Sequence, residues 1–159
     1  LIPYPTVEEL IEMVDLSIET MSSFNIEPKI ALLSGSNFGS NKREDSVRMK
    51  QATKILQEKY QSLQIDGEMQ ADSALLPHIR DRWLPDSKLI HSANLLVMPN
   101  IDAANIGYKL ISSLTNALTV GPLLQGLNNV AHIASSTCTV RGLINLAAFS
   151  VMELKKIKK

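Results

Sequence analysis

Residues 29–41 read Lys29-Ile-Ala-Leu-Leu-Ser-Gly-Ser-Asn-Phe-Gly-Ser-Asn41, a short apolar run followed by a loop of small residues. The run has the length and the flanking turn residues of a buried strand, which we predict over Lys29–Ser34. Apolar residues then recur at helical spacing and predict a helix whose inner face carries Met49, Ala52, Ile55 and Leu56. A strand that passes through a small-residue loop into a helix is typical of a parallel α/β fold.

The same alternation continues on both sides of this unit. Thr6 and Glu9 have the spacing of a capping box, in which the hydroxyl and the carboxylate bond each other's backbone N–H groups. Further elements are predicted as a helix from Thr6 to about Phe24, a strand at Leu63–Ile65, a helix from Ala71 to about Trp83 and a strand at Ala93–Met98. Strands that alternate with amphipathic helices indicate a mostly parallel sheet covered on both faces, a three-layer α/β/α fold.

The C-terminal third continues with two helices. Asn100 follows the helix-breaking Pro99 and can cap a helix, in which Ala103, Ile106, Leu110 and Leu114 are expected to face inward. Two short extended pieces are predicted near Thr119–Val120 and Val130–Ile133. The last helix is predicted to start near Thr139, with an inner face of Val140, Leu143, Ile144, Ala147, Val151 and Leu154.

Length and composition narrow the function classes. A chain of 159 residues is the usual size of one domain. Its 16 basic and 16 acidic residues cancel, which removes the long-range field that suits nucleic acid. A single cysteine fits a reducing compartment, so a cytoplasmic location is expected. No apolar run approaches the ~20 residues of a membrane span, and the opening residues lack the features of a signal peptide. Because the chain starts without Met, we interpret it as part of a longer polypeptide.

The first candidate ligand site is the small-residue loop Ser34–Ser40. Loops that follow parallel strands and open onto helices lie where ligands bind, and their N–H groups can cradle a phosphate. The loop matches neither the P-loop nor the dinucleotide fingerprint, so a plain tight turn is an equal alternative.

A second cluster consists of the carboxylates Asp66, Glu68 and Asp72. Paired carboxylates can bind a cation or share acid/base work, and Glu68 and Asp72 would share one face if the segment were helical. A structural role, in helix capping or solvent contact, is the favoured interpretation.

Other reactive residue types give no catalytic pattern. The histidines, at 78, 91 and 132, fall in separate elements without metal-ligand spacing. Cys138 has no patterned basic partner and is expected to be a buried or half-buried neutral thiol. The residues by themselves indicate a soluble α/β domain with a candidate anion- or nucleotide-binding edge.

Four segments resemble, in order, the second subdomain of the phosphate acetyl/butyryltransferase family: Ile30–Ser40, Asp66–Asp72, Ala93–Tyr108 and Gly121–Gly126. The resemblance implies the α/β/α fold of phosphotransacetylase and isopropylmalate dehydrogenase, with residues 1–159 forming one phosphotransacetylase-like domain: the second subdomain plus a C-terminal helix. Asn37-Phe38, Met69-Gln70 and Thr139–Arg141 are most similar to the C-terminal domain of bacterial NADP-dependent malic enzymes.

The segment Ile133–Leu146 departs from the family pattern. Members that transfer acetyl groups between phosphate and coenzyme A usually carry a Ser-Arg-Gly-Cys run followed by an Asp. Aligned on Cys138, the Arg position holds Ser136 and the Asp position holds Gly142. A phosphoryl substrate needs a fixed cation, and Arg141 is expected to point to another side of the helix.

The resemblance therefore implies a catalytically silent domain that binds acetyl-CoA as a regulatory ligand and forms a homodimer or larger oligomer. NADP and a divalent metal would belong to the malic enzyme half, which converts malate to pyruvate and is absent from this chain. No catalytic residue, metal ligand, nucleic acid or membrane partner is expected. The implied ligand-binding positions are Ser34, Ser36, Asn37, Gly39, Ser40, Asn100, Asn105, Gly121, Pro122, Gln125, Ser135, Ser136 and Thr137.

Two alternatives remain open at this point. One is an active phosphate acetyltransferase with a rearranged site. The other is a dimerisation module that binds no ligand.

Overall fold

The computed structural model of the protein describes residues 2–115, 117–134 and 138–157. Its elements are α1 (Val7–Ser23), β1 (Lys29–Leu33), α2 (Glu44–Lys59), β2 (Gln64–Met69), α3 (Ala71–Leu75), α4 (Pro77–Trp83), β3 (Leu95–Val97), α5 (Ile101–Leu114) and α6 (Val140–Ile157). The chain divides into two compact units, Leu1–Gly107 and Tyr108–Lys159, with the boundary inside α5. No helix of the described ranges combines the length and apolar character that crossing a membrane requires.

The first unit is built on a parallel sheet of three strands in the order β2-β1-β3. The central strand β1 is buried from Ile30 onward, as expected for an apolar run with helices on both faces. The predicted strand at Leu63–Ile65 is real but longer, because β2 continues to Met69. Its polar residues, Asp66 and Glu68, are buried and hydrogen-bonded. Because their polar groups have partners, the strand can continue through a buried region.

Two apolar clusters cover the two faces of this sheet. The first joins α1 and α2 to the sheet through Leu10, Val14, Ile30, Leu32, Met49, Ala52, Leu56, Ile65 and Val97. The second joins α3 and the segment before β3 to the other face through Ala31, Leu33, Met69, Ala74, Leu84, Leu89 and Ala93. The predicted three-layer α/β/α fold is confirmed.

Two local predictions in the first unit were wrong. The segment from Ala71 to Trp83 forms two short helices, because Pro77 forces Leu76 into extended backbone at φ −116° and ψ 97°. Ile55, expected on the inner face of α2, is 43% exposed. The first helix agrees with prediction, and Thr6 and Glu9 form the capping box.

The predicted inner faces of the last two helices were also wrong. In α5, Ile106 is 60% exposed and Leu114 is 82% exposed. In α6 the buried large side chains are Leu146 and Phe149 rather than Val140 or Leu143. Neither extended piece, near 119–120 or 130–133, forms a strand. Apolar periodicity identifies a helix face suited to burial, but it does not identify the partner that covers it.

A charged contact fastens α1 to α2. Asp15 accepts hydrogen bonds from Lys59 Nζ and Tyr60 Oη, both at 2.6 Å. The bond to Asp15 raises the pKa of Tyr60, with burial as a second cause. The same carboxylate raises the pKa of Lys59. Both groups are therefore more strongly protonated in the fold than in the unfolded chain.

Asp15→Ala should lower the free energy of unfolding by roughly 1 kcal/mol at neutral pH through loss of the Tyr60 bond. Both pKa values are raised on folding, so this contribution is complete below the ordinary values near pH 10 and is lost as the pH rises through the raised values of the folded state. Urea denaturation across pH should show the wild type and the variant converging as the pH rises. Glu12→Ala, an exposed carboxylate on the same helix, is the matched control. A gap that stays constant through the alkaline range would contradict the assignment.

Candidate functional site

The loop Ser34–Ser40 follows β1 and leads toward α2, as predicted. It is anchored to the carboxyl end of β2, because Ser34 N donates to Met69 O and Phe38 N donates to Glu68 O, each at 2.9 Å. Side-chain amides reinforce this contact: Gln70 N donates to Asn37 Oδ1 at 2.7 Å, and Asn37 Nδ2 donates to Gln70 Oε1 at 3.3 Å.

The interior of the loop is occupied by a carboxylate of the protein itself. Glu68 is fully buried, and its Oε1 accepts from Ser36 Oγ at 2.8 Å and from Gly39 N at 2.6 Å. Ser36 Oγ in turn accepts from Asn41 N at 2.9 Å. Glu68 thus links Ser36 to Gly39 and stabilises the conformation of the loop.

Other N–H groups of the loop are also used internally. Ser36 N donates to Ser34 Oγ, Asn37 N to Ser40 Oγ and Ser40 N to Asn37 O. Each backbone N–H from residue 36 to residue 41 therefore has a partner within the protein. This geometry favours the tight-turn interpretation of the loop over a cradle in which its N–H groups bind phosphate.

The other two carboxylates of the cluster have structural roles. Asp66 Oδ2 accepts from Ser87 Oγ at 2.6 Å and from Lys88 N at 2.7 Å, which holds the segment after α4 against β2. Asp72 lies in the first turn of α3 and accepts from Ser73 N. Glu68 belongs to a strand, so the helical arrangement of Glu68 and Asp72 was wrong. In the described part of the chain, no cluster of His, Cys, Asp and Glu could hold a metal ion.

Asn100 begins α5 at the carboxyl end of β3. Its Oδ1 accepts from Ala103 N at 2.8 Å, which confirms the predicted cap. The loop Ser34–Ser40 and Asn100 follow neighbouring parallel strands, so they lie on the same edge of the sheet. Asn105 is exposed one turn further along α5.

A groove of about 560 Å³ lies beside Asn100 and was missed by the sequence reading. Its lining residues are Tyr4, Arg43, Glu44, Asp45, Arg48 and Asn100, all within the first unit. Arg48 reaches across from α2 and donates from Nη2 to Pro99 O at 3.1 Å. The sequence feature that could have indicated this groove is the pair Arg43 and Arg48, which lies at the start of α2 after the small-residue loop Ser34–Ser40.

The predicted positions of the second unit lie in a segment fastened to α6. Gly121 and Gln125 are half-buried, whereas Pro122 is exposed. Leu124 N donates to His132 Nδ1 at 3.2 Å, and His132 Nε2 lies 2.8 Å from Glu153 Oε2. His132 therefore has a structural role within this unit. Ser135, Ser136 and Thr137 lie outside the described residues.

The turn that starts α6 leaves little space at position 142. Thr139 Oγ1 accepts from Gly142 N at 3.0 Å and caps the helix. A Cβ on Gly142 would lie 3.0 Å from Cys138 Sγ and 3.3 Å from Thr139 Oγ1. Cys138 is exposed, so the expectation of a buried or half-buried thiol was wrong, because this residue precedes the helix instead of packing beneath it.

The fold and this edge define a parallel α/β domain. The chain belongs to the phosphate acetyl/butaryl transferase family, whose family model matches residues 1–151.

Two relatives and one solved structure illustrate the similarity. The NADP-dependent malic enzyme of Escherichia coli (strain K12) is 45% identical over 150 residues, covering 94% of this chain and 20% of that protein. The phosphate acetyltransferase of Bacillus subtilis (strain 168) is 38% identical over 149 residues, covering 94% of this chain and 46% of that protein. A phosphotransacetylase from Streptococcus pyogenes matches with a TM-score of 0.90 and 34% identity, covering 98% of this chain and 47% of that chain.

These comparisons confirm the resemblance found in the sequence. The chain is similar to both malic enzymes and phosphate acetyltransferases, with the higher identity, 45% against 38%, to the malic enzyme. It spans about a fifth of the malic enzyme and about half of the phosphate acetyltransferase.

Proposed function

We propose that this chain is a phosphotransacetylase-like regulatory and dimerisation domain of an NADP-dependent malic enzyme. In this proposal it binds acetyl-CoA at the carboxyl edge of its sheet and does not transfer the acetyl group. The oxidative decarboxylation of malate to pyruvate, with NADP and a divalent metal, would take place in another part of the same protein.

The observation that carries the proposal is the pair Ser136 and Gly142 at the positions of the family's Arg and Asp. Acetyl transfer to phosphate develops negative charge that a fixed cation must stabilise. A serine hydroxyl cannot supply that charge, and glycine has no acid or base.

Dimerisation is supported by the apolar surface of the second unit. Large apolar side chains are exposed on both of its helical segments: Leu110, Ile111, Leu114, Val140, Leu143, Ile144, Val151 and Leu154. Apolar surface of this extent on a folded protein commonly marks an interface. A second copy of the chain offers the same apolar residues and is the occupant we propose.

The test combines calorimetric titration with acetyl-CoA, a coupled assay of acetyl phosphate formation and sedimentation velocity. We expect saturable binding, a dimer or larger oligomer, and no acetyl phosphate above the buffer rate. Leu114→Glu, at a side chain that is 82% exposed, should shift the oligomer toward monomer. Trp83→Glu is the matched control, because Trp83 is 67% exposed but lies on α4 in the first unit.

The results separate the three hypotheses. Robust acetyl phosphate formation would identify an active transferase with a rearranged site. A silent titration with intact assembly would leave a dimerisation module without ligand.

A further inference from the structure

The groove beside Asn100 has features of an anion site that the sequence reading did not assign. It lies where the start of α2, the start of α5 and the N-terminal segment meet. That segment is held in place because Ile101 N donates to Pro3 O at 3.1 Å. Tyr4, Arg43, Arg48 and Asn100 face one open space of about 560 Å³. This volume is within the usual range for small-molecule sites.

Arg48 is fixed in position but incompletely bonded. Its Nη2 donates to Pro99 O at 3.1 Å, which anchors one edge of the guanidinium. Its Nε is buried and has no hydrogen-bond partner among the described residues. A buried donor without an acceptor is unfavourable, and a ligand oxygen in the groove would satisfy it. An anchored guanidinium with a free donor is also suited to a phosphate oxygen.

Arg43 supplies a second, exposed cation at the rim of the groove. Its Nε lies 3.6 Å from Asp45 Oδ1, beyond hydrogen-bond distance, and its side chain is 72% exposed. Asp45 Oδ1 already accepts from Ser46 N at 2.9 Å. Arg43 can therefore turn toward a ligand without leaving a strong ion pair.

The two acidic residues of the groove set the expected strength of binding. Glu44 and Asp45 balance the formal charge of Arg43 and Arg48, so attraction cannot rest on net charge. Recognition then depends on hydrogen-bond geometry around Arg48. We propose that this groove binds a phosphate group of a small molecule, either free phosphate or the phosphate of a larger ligand, with Arg48 as its main contact.

The test is a ¹H–¹⁵N NMR titration of the 159-residue chain with inorganic phosphate, against potassium chloride at matched ionic strength. We expect the Arg48 Nε–Hε resonance to shift saturably with phosphate and not with chloride. A resonance that follows ionic strength alone would overturn the proposal.

Three variants sharpen the result. Arg48→Gln should weaken phosphate binding at least ~10-fold, because it removes a charge-assisted donor. Glu44→Gln should strengthen binding about threefold by removing a nearby negative charge. Arg82→Gln, an exposed arginine on α4, is the control and should leave binding unchanged. Equal losses in Arg48→Gln and Arg82→Gln would show a general charge effect and overturn the proposal. The wild-type titration stands even if a variant fails to fold.

A competition arm identifies the source of the phosphate. If acetyl-CoA displaces phosphate from Arg48, the groove holds a phosphate of that ligand; if it does not, the groove is a site for free phosphate. The inference is independent of the proposed function, because phosphate can shift the Arg48 Nε–Hε resonance even if acetyl-CoA does not bind.

Discussion

Gly67→Ala should lower the free energy of unfolding by more than about 3 kcal/mol, and the variant is expected to be largely unfolded under mild denaturing conditions. Gly67 has φ +144°, which residues with a Cβ rarely adopt. A Cβ would lie 2.6 Å from Leu32 O and 3.1 Å from Thr53 Oγ1. Leu32 is the register partner of Gly67 on β1, so its carbonyl cannot retreat without disturbing the sheet. Both the strain and the clash therefore fall at the centre of the fold.

Urea denaturation followed by circular dichroism measures this effect. Gly35→Ala is the matched control, because a Cβ at Gly35 would meet nothing within 4 Å. We expect the control to stay within about 1 kcal/mol of the wild type. Similar stabilities for the two variants would show that Gly67 is not in the strained position described above.

Glu68→Ala should cost about 2–4 kcal/mol of stability and open the loop Ser34–Ser40. The substitution removes the acceptor for Ser36 Oγ and Gly39 N and leaves a cavity beneath them. Glu68→Gln should have a smaller effect, because its amide oxygen can still accept both bonds. Its new NH₂ group, however, would occupy the buried place of Glu68 Oε2, which has no partner among the described residues.

Amide hydrogen exchange distinguishes this role from a general loss of packing. In Glu68→Ala the Gly39 amide should exchange much faster than the amides of β1, whose ladder is intact. Glu58→Ala, at an exposed carboxylate on α2, is the control. Unchanged protection at Gly39 would contradict the bond between this amide and Glu68.

The layers of the fold could be predicted because their signals are local. The run Ile30–Leu33 in β1 is apolar throughout. The capping box of α1 is formed by Thr6 and Glu9, which lie within four residues of sequence. By contrast, the role of Glu68 depends on partners 29 and 32 residues away, Gly39 and Ser36. Nothing in the neighbouring sequence indicates that pairing. The sequence therefore identifies a carboxylate cluster but not the bond that closes the loop.

Dependence on distant contacts also explains why the groove at Arg48 was not predicted and why the inner faces of α5 and α6 were predicted wrongly. Arg48 acquires its significance from the carbonyl of Pro99, 51 residues away, which the helical pattern of α2 does not reveal. Leu114 fits an apolar stripe, yet it is exposed because such a stripe does not indicate whether another molecule covers it. Several of the missing predictions depend on distant contacts, whereas the division of the segment Ala71–Trp83 at Pro77 depends on a local signal.

The carboxylate beneath the Ser34–Ser40 loop also affects the thermodynamics of any recognition at this edge. Because Glu68 and the paired amides of Asn37 and Gln70 already hold the loop, its conformational entropy is lost during folding and not during association. A molecule that contacts this loop meets a preorganised wall. The loop should therefore have the same conformation with and without a ligand. Any conformational change that ligand binding causes must involve elements other than the loop.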